Sequence, residues 1–206
     1  MIYLQHILFG ILMAYAGLIS PGMLNMTALK IRLQGSKKES LLFSFGASVI
    51  VFFQAGIALY FADYLLKNAE VIEYLKIAGV VVFFILSILF YKMARKKVNS
   101  DKLNTSTNNF IKGVGMSVIN MLAIPFYLGT SIFLASEGQI TIEHPYILFF
   151  ILGATAGSFL LFFTYVALAK IIEKRISFIA RNINFILSAL FLLLGILALY
   201  KIVQPN

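Results

Sequence analysis

The chain has 206 residues, of which 61% are hydrophobic and only 12% are charged, whereas about a quarter of a soluble domain is charged. One soluble core cannot hide this much apolar surface, so the composition predicts an all-α polytopic membrane protein that has the lipid bilayer as its solvent. Cysteine is absent, which excludes disulfides, thiol catalysis and thiolate metal sites. A net charge of +9 favours nucleic-acid binding in a soluble protein, but in a membrane protein we expect it to mark the cytoplasmic loops.

Six uncharged runs mark the expected transmembrane helices. The first run carries neither a basic segment at its start nor a small-residue cleavage site, so we expect a permanent span rather than a secretory signal. The third run is short and is expected to extend back through Val71 and Ile72, since a bilayer core requires roughly 20 residues. In chain order the runs cover residues 2–29, 40–62, 77–91, 113–136, 145–169 and 182–200.

The loops between the runs differ in charge. Fourteen of the 17 Lys and Arg residues lie between spans one and two, three and four, and five and six. The positive-inside rule places these connections in the cytoplasm and both termini outside. Two halves of three spans then begin on opposite sides of the membrane, which predicts an inverted repeat. Within a single membrane domain, 1–206, the halves would be 1–95 and 110–206, joined by a flexible cytoplasmic linker at 96–109.

The first span places a proline where a continuous helix does not tolerate one. Pro21 lacks an N–H and clashes with the preceding turn, and Gly22 beside it adds conformational freedom. Ser20 and Asn25 flank this pair inside the uncharged run. The segment predicts a broken helix, whose exposed N–H and carbonyl groups can bind the carboxylate and ammonium of a zwitterion without a buried charged side chain.

The fourth span repeats this pattern at the corresponding place of the second half. Gly113 precedes Pro125 by nearly the spacing that separates Gly10 from Pro21, and Asn120 lies between them. Interrupted spans at matching positions of two halves point to a substrate site near the middle of the membrane. The alternative is that each proline only kinks its helix, because neighbouring helices satisfy the freed backbone groups.

Three carboxamides within the spans, those of Asn25, Gln54 and Asn120, need partners for both a donor and an acceptor. Two interpretations stay open: a cluster that faces the substrate, or hydrogen bonds that join helices and contribute about 0.6 kcal/mol each. The predicted substrate-binding residues are Ser20, Pro21, Gly22, Asn25, Gln54, Asn120 and Pro125.

The sequence argues against an intramembrane enzyme. A catalytic serine needs a positioned base, and both His6 and His144 lie near the outer ends of spans. The spans contain neither a His-Glu-x-x-His motif nor an aspartate pair for metal-assisted hydrolysis. Asp63 is interpreted as a solvated charge at a helix end. We therefore expect no catalytic residue, no metal site and no cofactor.

With these features the sequence resembles the lysine exporter superfamily, the LysE/RhtB type of amino-acid exporters. The resemblance rests on Pro21-Gly22, then Gly35 in LQGSKK and Gly46 in FSFGAS, and on Gly113 and Asn120 in the second half. It extends over essentially the whole chain, and it implies about six spans and amino-acid export driven by the proton motive force. Departures from the family pattern leave the substrate and the coupling cation open: Met23 and Leu24 stand in place of a Pro-Asn pair, Ile50-Val51 in place of a Gly-Asp pair, and Met121 in place of the proline after Asn120.

Together these observations predict a secondary transporter that exports amino acids or similar small zwitterionic metabolites across the cytoplasmic membrane by alternating access. Its expected partners are that small molecule and the lipid bilayer, without nucleic acid. The alternative is a membrane scaffold or a passive pore subunit. A pore is expected to show rings of charge or repeated carbonyl-lined loops, which the sequence does not show.

Overall fold

The computed structural model describes residues 1–95, 108–120 and 122–203, and within them the chain forms eight helices and no strand. This confirms the predicted all-α class. The predicted linker at 96–109 lies, apart from Asn108 and Asn109, outside the described residues. The helices are α1 (Ile2–Leu18), α2 (Met23–Gln34), α3 (Lys37–Lys67), α4 (Ala69–Arg95), α5 (Asn109–Ile119), α6 (Ala123–Ser136), α7 (Tyr146–Ala167) and α8 (Ala169–Val203).

Between two and four membrane spans can be identified among the described residues from helix length and apolar composition. The helices α3 and α7 each qualify alone. The pairs α1–α2 and α5–α6 qualify only together, because they are bent by 80° and 64° at their breaks. In α4 and α8 the apolar stretches Phe83–Lys92 and Phe185–Leu197 are shorter. The chain is thus an integral membrane protein, and the count of six spans stays a prediction, as does the outward placement of the termini.

The first and fourth predicted spans are interrupted helices, as the sequence predicts. The first break separates Leu18 from Met23, and Gly22 is the N-cap of α2 with an extended backbone. Pro21 lies inside this break because, in a continuous helix, its ring would clash with the carbonyl of the residue four positions earlier.

Pro125 acts in the same way from a different position. It is the third residue of α6, where the missing N–H has no intrahelical partner to lose. Its ring prevents the preceding turn from continuing into α5, which ends at Ile119. The break therefore lies before this proline, whereas in the first span it surrounds the proline.

Packing divides the chain into two compact units. The first unit comprises Met1–Tyr64 and Asp101–Lys174, and the second comprises Leu65–Ser100 and Arg175–Asn206. Each unit combines stretches from both predicted three-span halves, and the division of the chain into those halves stays a prediction.

In the first unit, glycines allow two helix pairs to approach at backbone contact. Between α1 and α7, a Cβ added at Gly10 would clash with the Phe150 carbonyl, and one added at Gly153 would clash with the Ile7 carbonyl. Only glycine permits such an approach, since any larger residue meets the neighbouring backbone. Four residues further along both helices, Gly157 meets the Ile11 carbonyl as Gly153 meets that of Ile7, so the two helices run parallel.

Between α3 and α5 the same arrangement recurs. A Cβ at Gly113 would clash with the Phe43 carbonyl, and one at Gly46 would clash with the Phe110 carbonyl. One constant shift in residue number converts Ile7 and Gly10 into Phe110 and Gly113. A second constant shift converts Phe150 and Gly153 into Phe43 and Gly46. The two interfaces therefore have the same register, with the two halves of the sequence exchanged.

In the second unit, α4 and α8 are joined by a reciprocal serine pair. The Ser87 hydroxyl donates to the Ser188 carbonyl at 2.9 Å, and the Ser188 hydroxyl donates to the Ser87 carbonyl at 2.9 Å. The ring of Phe191 stacks on Phe83 and Phe90 beside this pair. The exchange of identical bonds satisfies both buried hydroxyls within the helix pair.

Candidate functional site

The first helix break is closed by the side chain of Asn25. Its Nδ2 donates to the carbonyl of Leu18, the last residue of α1, and to the carbonyl of Ser20 at 2.7 Å. Asn25 lies in the first turn of α2 and is only 3% exposed. Its two N–H groups thus satisfy carbonyls that a continuous helix would have paired internally.

A tyrosine from α7 completes the closure. The Tyr165 hydroxyl donates to the Ile19 carbonyl at 2.9 Å. The Gly22 amide also donates to the Ser20 carbonyl at 2.6 Å. Three consecutive carbonyls, at residues 18, 19 and 20, therefore all accept hydrogen bonds, as an interrupted helix in a bilayer requires.

The second break is closed in the same manner by Gln54 of α3. Its Nε2 donates to the Ser117 carbonyl at 2.9 Å and to the Asn120 carbonyl at 3.1 Å. These two carbonyls lie at the C-terminal end of α5, where Asn120 is the C-cap. At each break, one carboxamide nitrogen therefore bridges two carbonyls at or just beyond the end of the preceding half-helix.

The oxygens of the two carboxamides take no part in closing the breaks. Asn25 Oδ1 and Gln54 Oε1 are buried, and neither accepts a hydrogen bond from any described residue. The hydroxyls of Ser48, Ser117 and Tyr127 are buried and unpaired in the same sense. Native structures hold few such atoms, and each requires an explanation such as a bound molecule.

The two breaks share one packed core in the first unit. Ala14, one turn before the first break, belongs to the same buried cluster as Ala123, the first residue of α6. Val51 and Ala55, on either side of Gln54, belong to this cluster as well. The broken ends of the two interrupted helices therefore bring their backbone dipoles to the same packed core.

The predicted site residues all lie at these breaks or, for Gln54, against one of them. Ser20 and Pro21 are buried in the first break, and Gly22 and Pro125 are half-buried at the starts of α2 and α6. Asn120 contributes its backbone carbonyl and its backbone N–H, which donates to the Ser117 carbonyl at 3.0 Å. The sequence interpretation emphasised its side chain instead.

Two residues of the site were not predicted as binding residues from the sequence. Tyr165 closes the first break from another helix, and Tyr127, in the second turn of α6, carries a buried hydroxyl. Both lie in apolar runs, where tyrosine resembles an ordinary aromatic residue. The available signal was the hydroxyl itself, because a buried tyrosine usually needs a hydrogen-bond partner.

Metal-binding potential is low in the part of the chain that the structure describes. It contains no group of three or more His, Cys, Asp or Glu side chains that could hold an ion. The chemistry available at the breaks is therefore hydrogen bonding by neutral amide, hydroxyl and backbone groups.

Comparison with known proteins agrees with the resemblance seen in the sequence. A sequence model described as LysE type translocator matches residues 15–202. No curated protein and no solved structure matches the chain. Since the match covers most of the 206 residues, the chain belongs to the LysE type translocator family, a family of membrane transport proteins rather than enzymes.

Proposed function

We propose that this LysE type translocator is a secondary exporter that moves amino acids or similar small zwitterions out across the cytoplasmic membrane by alternating access. The observation that carries the proposal is the pair of helix breaks, each closed by a carboxamide that leaves its oxygen buried and unpaired. Discontinuous helices of this kind form the substrate sites of many secondary transporters. Family membership supports a transport role in general.

The equal register of the two glycine interfaces supports an inverted repeat of two three-span halves. A repeat requires that each contact between span one and span five has a counterpart between span four and span two. Gly10 on Phe150 and Gly113 on Phe43 form such a pair. The reciprocal bonds of Ser87 and Ser188 have the same character, because equivalent residues on a twofold axis exchange identical bonds.

The substrate site of this exporter comprises the residues at both breaks. During alternating access the breaks serve as points where the half-helices tilt, because the helical hydrogen-bond ladder is already interrupted there. Basic loops hold the odd connections in the cytoplasm, and both termini face outward. The proposed set is Ser20, Pro21, Gly22, Asn25, Gln54, Asn120 and Pro125.

A membrane scaffold or passive pore subunit is the second candidate. Saturable exchange separates the two, because a scaffold exchanges nothing and a pore does not saturate.

Counterflow in proteoliposomes tests the proposal. Vesicles loaded with one unlabelled amino acid at a time receive the labelled form outside, for the wild type and for Pro21→Ala and Gln54→Met. We expect saturable uptake of at least one substrate in the wild type and its loss in Pro21→Ala and Gln54→Met. Gln34→Met is the matched control, because Gln34 is an exposed glutamine at the end of α2. Wild-type vesicles that exchange none of the amino acids would refute amino-acid export.

A further inference from the structure

We infer that the second helix break binds the protonated amine of the substrate, through an oxygen cluster formed by Gln54 Oε1, Ser117 Oγ and Tyr127 Oη. The inference rests on the proposed function and adds the chemical group that this site recognises. All three atoms are buried, and none has a hydrogen-bond partner among the described residues.

The orientation of the Gln54 amide is fixed by its partners. Its nitrogen lies 2.9 Å and 3.1 Å from two carbonyl oxygens, those of Ser117 and Asn120. A flipped amide would place its own oxygen against both carbonyls, which is repulsive. The end of Gln54 that stays available for a ligand is therefore its acceptor oxygen.

Ser117, like Ser48, differs from the buried serines of the first unit whose hydroxyls donate to a carbonyl. Ser44 and Ser158 donate to carbonyls of the preceding turn, both at 2.8 Å, as serines in membrane helices usually do. The Ser117 hydroxyl makes no such bond, although its residue is fully buried and its carbonyl is held by Gln54. Its oxygen therefore keeps the capacity to bind a ligand beside the Gln54 side chain.

Tyr127 belongs to the same region. It lies in α6, one turn after Ala123, and shares a packed cluster with Ala123 and with Val51 and Ala55 on either side of Gln54. The residue is 1% exposed, and its hydroxyl is unpaired. A buried tyrosine hydroxyl ordinarily has a partner, so a ligand group is the expected one here.

The charge around the cluster favours a cation. The carbonyls of Ser117 and Asn120 form the C-terminal end of α5, which carries the negative end of the helix dipole. An ammonium group has three N–H donors, which matches three acceptor oxygens. The Ser117 and Tyr127 hydroxyls can accept from an ammonium or donate to a carboxylate, so the groups that select the cation are the Gln54 amide oxygen and the negative end of α5, which both repel a carboxylate.

The inference predicts that the amine of a substrate matters more at this break than its carboxylate. Counterflow of the best amino acid is measured against two competitors made from it: its amide, which keeps the amine, and its deaminated hydroxy acid, which keeps the carboxylate. We expect the amide to inhibit at concentrations at least tenfold lower than the hydroxy acid. Equal inhibition, or stronger inhibition by the hydroxy acid, overturns the amine site.

Variants test the individual oxygens. Tyr127→Phe and Ser117→Ala each remove one hydroxyl without disturbing the closure of the break. Each is expected to raise the half-saturating substrate concentration about tenfold, the loss typical of one hydrogen bond to a charged group. Tyr60→Phe, at an exposed tyrosine of α3, is the matched control and should leave transport unchanged. Unchanged half-saturation in both cluster variants overturns the assignment.

Two further outcomes distinguish the amine site from failure of the proposed function and from a sodium site. Absence of counterflow with every amino acid refutes the proposed function, whereas active counterflow without amine preference refutes only the amine site. Oxygen ligands also suit a sodium ion. Transport that is lost when choline replaces sodium, together with equal inhibition by amide and hydroxy acid, would assign the cluster to sodium and overturn the amine site.

Discussion

Gln54 of α3 and Ser117 of α5 are joined by a hydrogen bond of 2.9 Å from the glutamine amide to the serine carbonyl. The bond links residues 63 positions apart, so it forms only when the two helices are packed. The glycine contact between Gly113 and the Phe43 carbonyl brings these helices close enough. Helix packing and closure of the break therefore depend on each other.

Gln54→Met should destabilise the protein because it removes the side-chain donor from two carbonyls, which keep only the backbone N–H groups of Asn120 and, at 3.4 Å, of Ala123. Methionine has nearly the same shape, so packing is preserved while both hydrogen bonds are lost. We expect a loss of about 2 kcal/mol in the free energy of unfolding, measured by denaturation in mixed detergent micelles. Gln34→Met should be neutral, and equal stability of the two variants would show that water or another group closes the break.

Tyr165→Phe isolates one carbonyl of the first break. It removes the only described donor to the Ile19 carbonyl and leaves the ring in place. We expect a loss of about 1 kcal/mol, smaller than for Asn25→Leu, which removes donors to two carbonyls. The same denaturation assay gives the order of the two variants, and a larger loss in Tyr165→Phe would contradict this account.

The sequence predicted the breaks because proline acts locally. In a helix, the proline ring clashes with the carbonyl of the residue four positions earlier. A break can therefore be predicted from the sequence without any tertiary information. The exact place of the second break followed less directly, since Pro125 is tolerated in the first turn of α6 and displaces the interruption towards Asn120.

The partners of the breaks could not be predicted in the same way. Gln54 and Tyr165 come from helices distant in sequence, and nothing in the local pattern identifies the carbonyl that each one meets. The expectation that broken ends offer free carbonyls to a zwitterion needs revision for the same reason. Protein donors already occupy those carbonyls, and the amide oxygens behind them are the available acceptors.

His6 has a structural role that its position near a helix end does not predict. The ring is 1% exposed; the Thr141 amide donates to Nε2 at 2.9 Å, and Nδ1 lies 2.8 Å from the Ile2 carbonyl. The ring therefore joins the first turn of α1 to Thr141, whose carbonyl also lies 3.2 Å from Nε2.

His6→Leu should therefore release the segment between α6 and α7. The Thr141 amide loses its acceptor, so we expect its hydrogen exchange to accelerate about tenfold or more, as measured by NMR or mass spectrometry. His144→Leu, at an exposed histidine of the same segment, is the control and should not change exchange at Thr141. Unchanged exchange in His6→Leu would mean that other contacts hold the segment.

Gly113→Ala and Gly153→Ala test whether the two glycine interfaces are equivalent. In each variant the new methyl group meets a backbone carbonyl, that of Phe43 or Ile7, which cannot move without shifting its helix. We expect each to lose about 1–3 kcal/mol of stability and to lower counterflow. Gly115→Ala and Gly129→Ala are controls, because a Cβ there has no neighbour within 4 Å and alanine favours the helix by up to about 1 kcal/mol. If the halves are related by an inverted repeat, the losses of stability at Gly113 and Gly153 should be similar. A large loss of stability at one glycine and none at the other would contradict the shared register on which the repeat is proposed.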